Sequence, residues 1–266
     1  MACVLLAPDK FKGTLTAAQV AGYLAEGMWS SDIEVVSVPV ADGGDGLLDA
    51  FEAAGFERVP AAAAGPTGIV GATSYVRRDD EAVVELAAVA GLVQLGGSLA
   101  PLTATSRGVG EVIAAALDAG CTRIVLGIGG SASTDGGLGM VQALGARVLD
   151  AAGAEVGAGG LGAQAAATLD LGGLHPALAQ ASVEVACDVD NPLTGPHGAA
   201  AVYGPQKGAD PDQVALLDRA LSHWADVVAA ATGVDRRDAP GAGAAGGVGF
   251  AALGVLGATL RPGVDL

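Results

Sequence analysis

Four loops of the sequence combine glycine with aspartate, lysine or serine, and each follows or ends an apolar stretch of the kind that forms a buried strand. They are residues 7–21 (APDKFKGTLTAAQVA), 42–46 (DGGDG), 127–139 (GIGGSASTDGGLG) and 187–209 (CDVDNPLTGPHGAAAVYGPQKGA). In an open α/β sheet, loops that follow strands line the carboxyl edge, where ligands bind. Glycine-rich turns at helix starts also expose backbone N–H groups that bind anions. The loops favour an anion site, although such a turn by itself also occurs as a purely structural element.

Lysine is scarce in this chain, and every lysine falls in one of these loops. Only three of the 13 Lys and Arg residues are lysines, namely Lys10, Lys12 and Lys207. Lysines that only decorate the surface would be spread over helices, so Lys12 and Lys207, each beside glycine, are predicted to have a functional role. Lys10 directly follows Asp9 and is predicted to face solvent.

Aspartates accompany the lysines at the predicted strand ends, at positions Asp42, Asp45, Asp135, Asp188 and Asp190. Phosphoryl transfer from ATP needs Mg²⁺ held by one or two carboxylates, cations for the developing charge, and a base for the acceptor hydroxyl. All of these parts are available in the four loops. Each aspartate could alternatively cap a helix or form a turn. Their convergence favours phosphoryl transfer.

The third loop matches neither of two common nucleotide-binding patterns. The P-loop pattern G-x-x-x-x-G-K-[ST] occurs nowhere, and the dinucleotide pattern G-x-G-x-x-G fails after Gly129. A dinucleotide-dependent oxidoreductase stays open as an alternative, with Asp42 holding a ribose. In that case Lys12 and Lys207 would have no role.

The composition excludes several classes of protein. The net charge is −16 and the pI about 4.3, and no basic stripe is visible, which disfavours nucleic acids and anionic membranes as partners. Three scattered cysteines, Cys3, Cys121 and Cys187, are typical of buried thiols in a reducing cytoplasm. Residues 239–260 carry no charge but are rich in glycine and alanine. They are predicted to form a loop and a buried helix rather than a membrane span.

The first quarter of the chain alternates between strand and helix patterns. Residues 2–7 and 33–40 are apolar strands, a capping box at Thr16 and Gln19 begins a helix, and residues 46–54 form a second helix. Such alternation implies a parallel sheet with right-handed crossovers.

The middle of the chain has antiparallel character. Residues 69–77 and 82–89, joined by RDDE, are predicted to form a hairpin. Further on, a helix begins after Thr105 or Ser106, and a long helix begins with Asp210 as its N-cap. The predicted fold class is therefore α/β, with a Rossmann-like parallel-sheet domain and a smaller mixed α/β domain. Residues 1–57 and 105–150 are assigned to the first domain and residues 58–104 and 151–266 to the second.

The motifs of these loops, together with others, occur in an order that resembles a known family, the type I bacterial glycerate kinases. The matching stretches run from residue 2 to the end of the chain: APDKFKGTLTA, PVADGGDG, ATSRGVGE, GIGGSASTDGGLGMVQALGA, VACDVDNPLTGPHGAA, YGPQKGA and PGAGAAGG. The resemblance implies phosphorylation of D-glycerate by ATP with Mg²⁺, with 2-phosphoglycerate favoured over 3-phosphoglycerate. It also implies an active site in the cleft between the two domains.

Carried over position by position, the resemblance implies three groups of site residues. The catalytic group is Lys12, Asp42, Asp190 and Lys207, with Lys207 neutralising charge across the cleft. The residues implied to bind substrate or nucleotide are Asp9, Gly13, Gly43, Gly44, Gly130, Ser131, Ser133, Thr134, Asn191 and Gln206. The implied metal ligands are Asp45, Asp135 and Asp188, and the division of labour among the aspartates stays open.

The chain departs from the family in two respects. Lys10 stands where serine is frequent, and similar proteins continue beyond Leu266 into a segment with a TGEG-type loop and further strands. If the chain ends here, the expectation is an incompletely closed first domain with weak or absent kinase activity. A catalytically impaired fragment is therefore a further alternative. The expected partners are glycerate and ATP, in the cytoplasm, with a homodimer allowed.

Overall fold

The structure of the protein is a computed structural model that describes residues 2–11, 14–28, 33–38 and 43–265. Three of the predicted site residues, Lys12, Gly13 and Asp42, lie outside the described residues.

The N-terminal elements form a small parallel unit. Strands β1 (Ala2–Leu6) and β2 (Ile33–Ser37) pair in parallel, and helix α1 (Ala17–Gly27) connects them. The Thr16 hydroxyl accepts a hydrogen bond from the Gln19 N–H at 3.2 Å, and the Gln19 side chain accepts one from the Thr16 N–H at 2.9 Å. The predicted capping box is therefore confirmed.

A six-stranded mixed sheet forms the centre of the described chain. Its strands, in spatial order, are β10 (Thr259–Arg261), β9 (Ser182–Ala186), β6 (Arg123–Gly127), β5 (Glu81–Glu85), β4 (Val70–Arg78) and β3 (Glu57–Ala64). Strands β3, β4 and β5 are antiparallel, whereas β5, β6, β9 and β10 are parallel. A separate antiparallel pair joins β7 (Arg147–Leu149) to β8 (Thr168–Asp170).

Helices cover both faces of this sheet. They are α2 (Leu47–Ala53), α3 (Leu86–Ala90), α4 (Arg107–Asp118), α5 (Leu138–Ala143), α6 (Gly159–Ala165), α7 (Ala199–Tyr203), α8 (Pro211–Thr232) and α9 (Val248–Gly254). Helix α2 packs on one face in a small core that contains Val83, while α4, α5, α8 and α9 share a larger core that contains Val84. Val83 and Val84 are consecutive residues of β5, and they belong to different cores because successive residues of a strand point to opposite faces of the sheet.

The strand pairing corrects the predicted grouping of segments. Strand β6 lies in segment 105–150, which was grouped with residues 1–57, yet β6 pairs with β5 and β9 of the other predicted domain. The reason is that β5 pairs on both sides, antiparallel with β4 and parallel with β6. The β4–β5 hairpin and the parallel strand β6 therefore belong to one sheet. The predicted hairpin is confirmed, but its second strand ends at Glu85 because α3 follows at once. The division into two domains itself stays a prediction.

The uncharged segment 239–260 contains helix α9, preceded by a 3-10 turn at Ala244–Gly247. Phe250 and Ala251 of α9 are fully buried, which confirms the predicted loop and buried helix. Among the described residues, none of the helices combines the length and apolar character that crossing a membrane requires.

Replacing the cap of the longest described helix is expected to destabilise the fold measurably. The Asp210 carboxylate accepts a hydrogen bond from the Gln213 N–H at 2.8 Å, and the Gln213 side chain accepts one from the Asp210 N–H. Asp210→Ala should lower the free energy of unfolding by about 1 kcal/mol, measured by urea denaturation. The control Asp212→Ala removes only a charge from the first turn and should cost less. Equal losses in both variants would contradict the capping role.

Candidate active site

A cavity of about 180 Å³ lies at the carboxyl edge of the sheet, where the parallel strands β6 and β9 end side by side. It is lined by Gly44, Asp45, Ile128, Gly129, Gly130, Ala186, Cys187, Asp188 and Val189. The structure thus brings together three of the four loops singled out in the sequence. The position matches the rule that ligands of parallel sheets bind beyond the carboxyl ends of the strands.

The loops meet backbone to backbone, which requires glycine. The Gly129 N–H donates to the Gly43 carbonyl at 3.0 Å. A Cβ on Gly129 would lie 2.5 Å from the Gly44 Cα, and one on Gly43, whose φ is +82°, would lie 2.8 Å from the Ala186 Cβ. No side chain fits at these contacts. The glycine main chain of Gly44, Gly129 and Gly130 therefore forms part of the cavity lining.

Two carboxylates face this cavity, Asp45 from the 43–46 turn and Asp188 from the end of β9, and both are exposed. The Asp45 Oδ1 lies 3.2 Å from the position that a Cβ on Gly130 would occupy. One oxygen of Asp188 accepts a hydrogen bond from the Gly263 N–H at 2.9 Å.

This donor set fits Mg²⁺ only together with a phosphate ligand. Within the ranges that the structure describes, no group of three or more His, Cys, Asp or Glu residues could hold a metal ion by itself. Mg²⁺ is commonly bound by one or two carboxylates, substrate phosphates and water. Asp45 and Asp188 are the two cavity carboxylates that could serve in this way.

The structure corrects the metal role predicted for Asp135. This residue is fully buried, and its carboxylate accepts hydrogen bonds from the Ser106 N–H and hydroxyl and from the N–H groups of Gly137 and Gly139. A carboxylate enclosed in this way has no open position for an ion. Asp135 instead ties the third loop to the starts of helices α4 and α5.

Lys207 is also buried rather than presented across a cleft, contrary to the prediction. Its Nζ donates to the Ser131 hydroxyl at 2.7 Å and to the Ser133 carbonyl at 2.5 Å. Burial lowers the pKa of Lys207 from 10.5 to about 7, although the negative charge of Asp135 opposes the shift. A neutral amine has two N–H donors, and the two acceptors match that number. Lys207 therefore supports the third loop from inside.

The hydroxyl residues of the third loop, which were predicted to bind substrate or nucleotide, do not line this cavity. Ser131, Ser133 and Thr134 are all buried, and none lines the cavity. The Ser133 Oγ and Thr134 Oγ1 are buried without a hydrogen-bond partner in the described part of the chain. What the loop exposes at the cavity is the main chain at Gly129 and the exposed Gly130.

The fourth loop contributes less to the cavity than predicted. Asn191 is occupied in holding its own loop, because its side chain donates to the His197 carbonyl at 2.9 Å and accepts from the Tyr203 hydroxyl at 2.6 Å. Asp190 and Gln206 are exposed, and neither is among the lining residues. Asp188 is the member of this loop that faces the cavity.

A second cavity of about 320 Å³ adjoins the first and shares Asp45 with it. Its lining consists of Asp9, Lys10, Phe11, Thr14, Leu15, Thr16, Ala17, Ala18, Gln19, Asp45, Gly46, Asp49 and Ala50. The prediction that Lys10 faces solvent is wrong. Its side chain is only 9% exposed, and its Nζ lies 3.5 Å from the Asp9 carboxylate.

One carboxylate beside the site was missed by the sequence reasoning. Glu85 ends β5, is buried, and accepts hydrogen bonds from the N–H groups of Gly46 at 3.3 Å and Leu48 at 3.0 Å. Burial raises the pKa of Glu85, and the nearby charges of Asp45 and Asp49 raise it further. A charged residue that ends an apolar strand (AVVE) was the signal that could have indicated it.

The glycerate kinase family model matches residues 4–266. The chain belongs to the glycerate kinase family. Glycerate 2-kinase of Escherichia coli K12 is 46% identical over 99% of this chain and 71% of its own length. Glycerate kinase of Bacillus subtilis 168 is also 46% identical, over 99% of this chain and 70% of its own length. A crystal structure assigned to glycerate kinase 2 of Salmonella typhimurium LT2 matches with a TM-score of 0.90 at 43% identity, covering 99% of this chain and 72% of that one.

Membership in the glycerate kinase family confirms the resemblance carried by the seven motifs. It makes the chain a kinase, an enzyme that transfers a phosphoryl group to an alcohol, and decides against the dinucleotide-dependent oxidoreductase. The α/β fold class is confirmed as well.

Lys207→Met is expected to produce a pH-dependent change in stability. Between about pH 7 and pH 10.5 the unfolded chain would bind a proton at Lys207 that the folded chain does not, so the free energy of unfolding rises with pH over this window. The unchanged chain should therefore gain stability relative to Lys207→Met between pH 7 and pH 9.5, measured by urea denaturation.

The matched control is Arg219→Met on the exposed surface of α8, which should differ from the unchanged chain by the same amount at each pH. A Lys207→Met difference that is flat over this window would show that Lys207 is protonated in the fold.

Proposed function

We propose that the chain catalyses phosphorylation of D-glycerate by ATP, with 2-phosphoglycerate favoured over 3-phosphoglycerate as the product. The observation that carries the proposal is the cavity at the ends of β6 and β9, where Asp45 and Asp188 line the same cavity as the main chain of Gly44, Gly129 and Gly130. Phosphate oxygens can approach the backbone closely at these glycines, because a glycine has no side chain to stand between ligand and backbone.

The two carboxylates indicate how phosphate charge would be handled. Asp45 and Asp188 would hold Mg²⁺, which when bound neutralises charge on the phosphate oxygens as it develops. Without a cation, two exposed carboxylates would repel a polyphosphate. The hydrogen bond from the Gly263 N–H fixes the orientation of Asp188, and the 43–46 turn carries Asp45.

The adjoining cavities suit two substrates that meet at Asp45. We assign ATP to the larger cavity, because it contains Lys10 and the start of the eleven-residue helix α1, whose N-terminal N–H groups favour anions. We assign glycerate to the smaller cavity. This arrangement would hold the transferring phosphate near the acceptor hydroxyl, and such positioning accounts for much of the rate in phosphoryl transfer. Catalytic roles for Lys12, Asp42 and Asp190 stay predictions.

The preference for 2-phosphoglycerate is supported by one relative, because the Escherichia coli protein at 46% identity is named glycerate 2-kinase. The cytoplasm is proposed as the compartment, since Cys3, Cys121 and Cys187 are free thiols. The homodimer stays a prediction.

The test is an ADP-release assay on the full chain with D-glycerate and Mg²⁺, with the product identified by its conversion to phosphoenolpyruvate by enolase, which uses the 2-phosphate. Asp45→Asn and Asp188→Asn should each lower kcat/KM by roughly 100-fold or more, because a metal supplies several kcal/mol of charge stabilisation. Asp212→Asn, in the exposed first turn of α8, should leave kcat/KM unchanged.

Each part of the proposal has its own contradicting result. Absence of glycerate-dependent ADP formation would contradict the kinase activity. A product that enolase does not convert would contradict the position of phosphorylation alone. Full activity in both aspartate variants would show that the chemistry takes place outside this cavity.

A further inference from the structure

Glu85 bridges two backbone N–H groups at the start of helix α2. Its Oε1 accepts from Gly46 and its Oε2 from Leu48. The N-cap of α2 is Gly46, which has no side chain to cap the helix, so Glu85 supplies from β5 the acceptors that the helix start lacks. Both oxygens of the carboxylate are needed for this arrangement.

The burial of this carboxylate is costly, and the described residues offer it no ion-pair partner. Glu85 is only 7% exposed, and the charged groups acting on it are the carboxylates of Asp45 and Asp49. A buried charge that makes only two backbone hydrogen bonds lowers the stability of the fold, because two bonds replace its lost hydration only in part. A serine at position 46 would be the ordinary way to cap the helix. Capping of α2 alone therefore does not explain why a carboxylate is buried at this position.

The position of Glu85 links the two loops of the candidate site. It stands opposite Gly127 in the β5–β6 pairing, directly before the loop that carries Gly129 and Gly130. The turn that it holds contains Asp45, whose carboxylate lies against Gly130. Glu85 itself does not line either cavity. Its influence on the site therefore passes through the 43–46 turn.

We propose that Glu85 is a positioning residue that holds the 43–46 turn, and with it Asp45, in the orientation required to bind the metal–nucleotide complex. This inference rests on the proposed function for its chemistry and extends it to a residue outside the cavity. Glu85 faces the α2 side of the sheet, whereas its neighbour Val84 lies in the core on the opposite face. Val84 therefore offers a control on the same strand.

The central variant is Glu85→Gln, which keeps the size of the side chain but replaces one of the two acceptor oxygens by an N–H donor. Binding of Mn²⁺ in the presence of a non-hydrolysable ATP analogue, measured by electron paramagnetic resonance, should weaken by about tenfold or more, as for other residues that orient a metal ligand. The Gly46 and Leu48 amides should exchange hydrogen faster. In the activity assay, kcat should fall while KM for glycerate changes by less than about threefold.

The control Val84→Ala should lower the urea midpoint without changing Mn²⁺ binding, because it leaves the 43–46 turn intact. A double-mutant cycle tests the route through Asp45. Once Asp45→Asn has removed the ligand, Glu85→Gln should have little further effect on Mn²⁺ binding.

Two results would overturn the inference. One is a Glu85→Gln protein that loses stability as Val84→Ala does but binds Mn²⁺ normally, and the other is full additivity with Asp45→Asn. If Glu85→Gln does not fold, Glu85→Asp keeps the charge, draws the carboxylate back by about 1.5 Å, and is judged by the same criteria. An unchanged chain without glycerate-dependent ADP formation would count against the proposed function, whereas Mn²⁺ binding and amide exchange still decide the role of Glu85.

Discussion

The hydrogen bonds accepted by the buried carboxylate of Asp135 are the interaction on which the candidate site depends. A negative charge without exposure to water is tolerated only when its oxygens are fully hydrogen-bonded, and Asp135 accepts from Ser106, Gly137 and Gly139. These bonds join the third loop to the starts of helices α4 and α5. Lys207 holds the same loop through Ser131 and Ser133. The polar side chains of the loop are buried, and the loop borders the cavity through Ile128, Gly129 and Gly130.

In this arrangement, the residues that determine the path of the loops are different from the residues that face the cavity. Asp135 and Lys207 determine the path of the third loop, and the glycine contacts allow the 43–46 turn to lie directly on it. Asp45 and Asp188 then face the open cavity with oxygens still available. In a chain of net charge −16, a polyphosphate is attracted only by local features, so carboxylates at the cavity need a cation between them and the ligand. The acidic composition and the predicted need for Mg²⁺ are therefore linked.

The sequence predicts well what depends on near neighbours. The capping boxes at Thr16 and Asp210 and the hairpin before Glu85 are local patterns, and the structure contains them. Four loops were singled out from the sequence, and residues of three of them line one cavity. The partners of β6 were not predicted, because strand order depends on contacts distant in the sequence. The burial of the Lys10 and Lys207 side chains likewise depends on the tertiary packing, which their neighbours in the sequence do not reveal.

The aspartates show why residue type alone does not assign a role. Asp135 and Asp188 both follow strands and were both predicted to bind metal, yet one carboxylate is saturated with hydrogen bonds, while the other is exposed and has one bond, from the Gly263 N–H. Gly263 lies just after β10, the strand that pairs in parallel with β9. The orientation of Asp188 therefore depends on the last strand of the described sheet. Loss of the β10–β9 pairing would free the Asp188 carboxylate to turn, and it would weaken the proposed metal binding although every cavity residue remained.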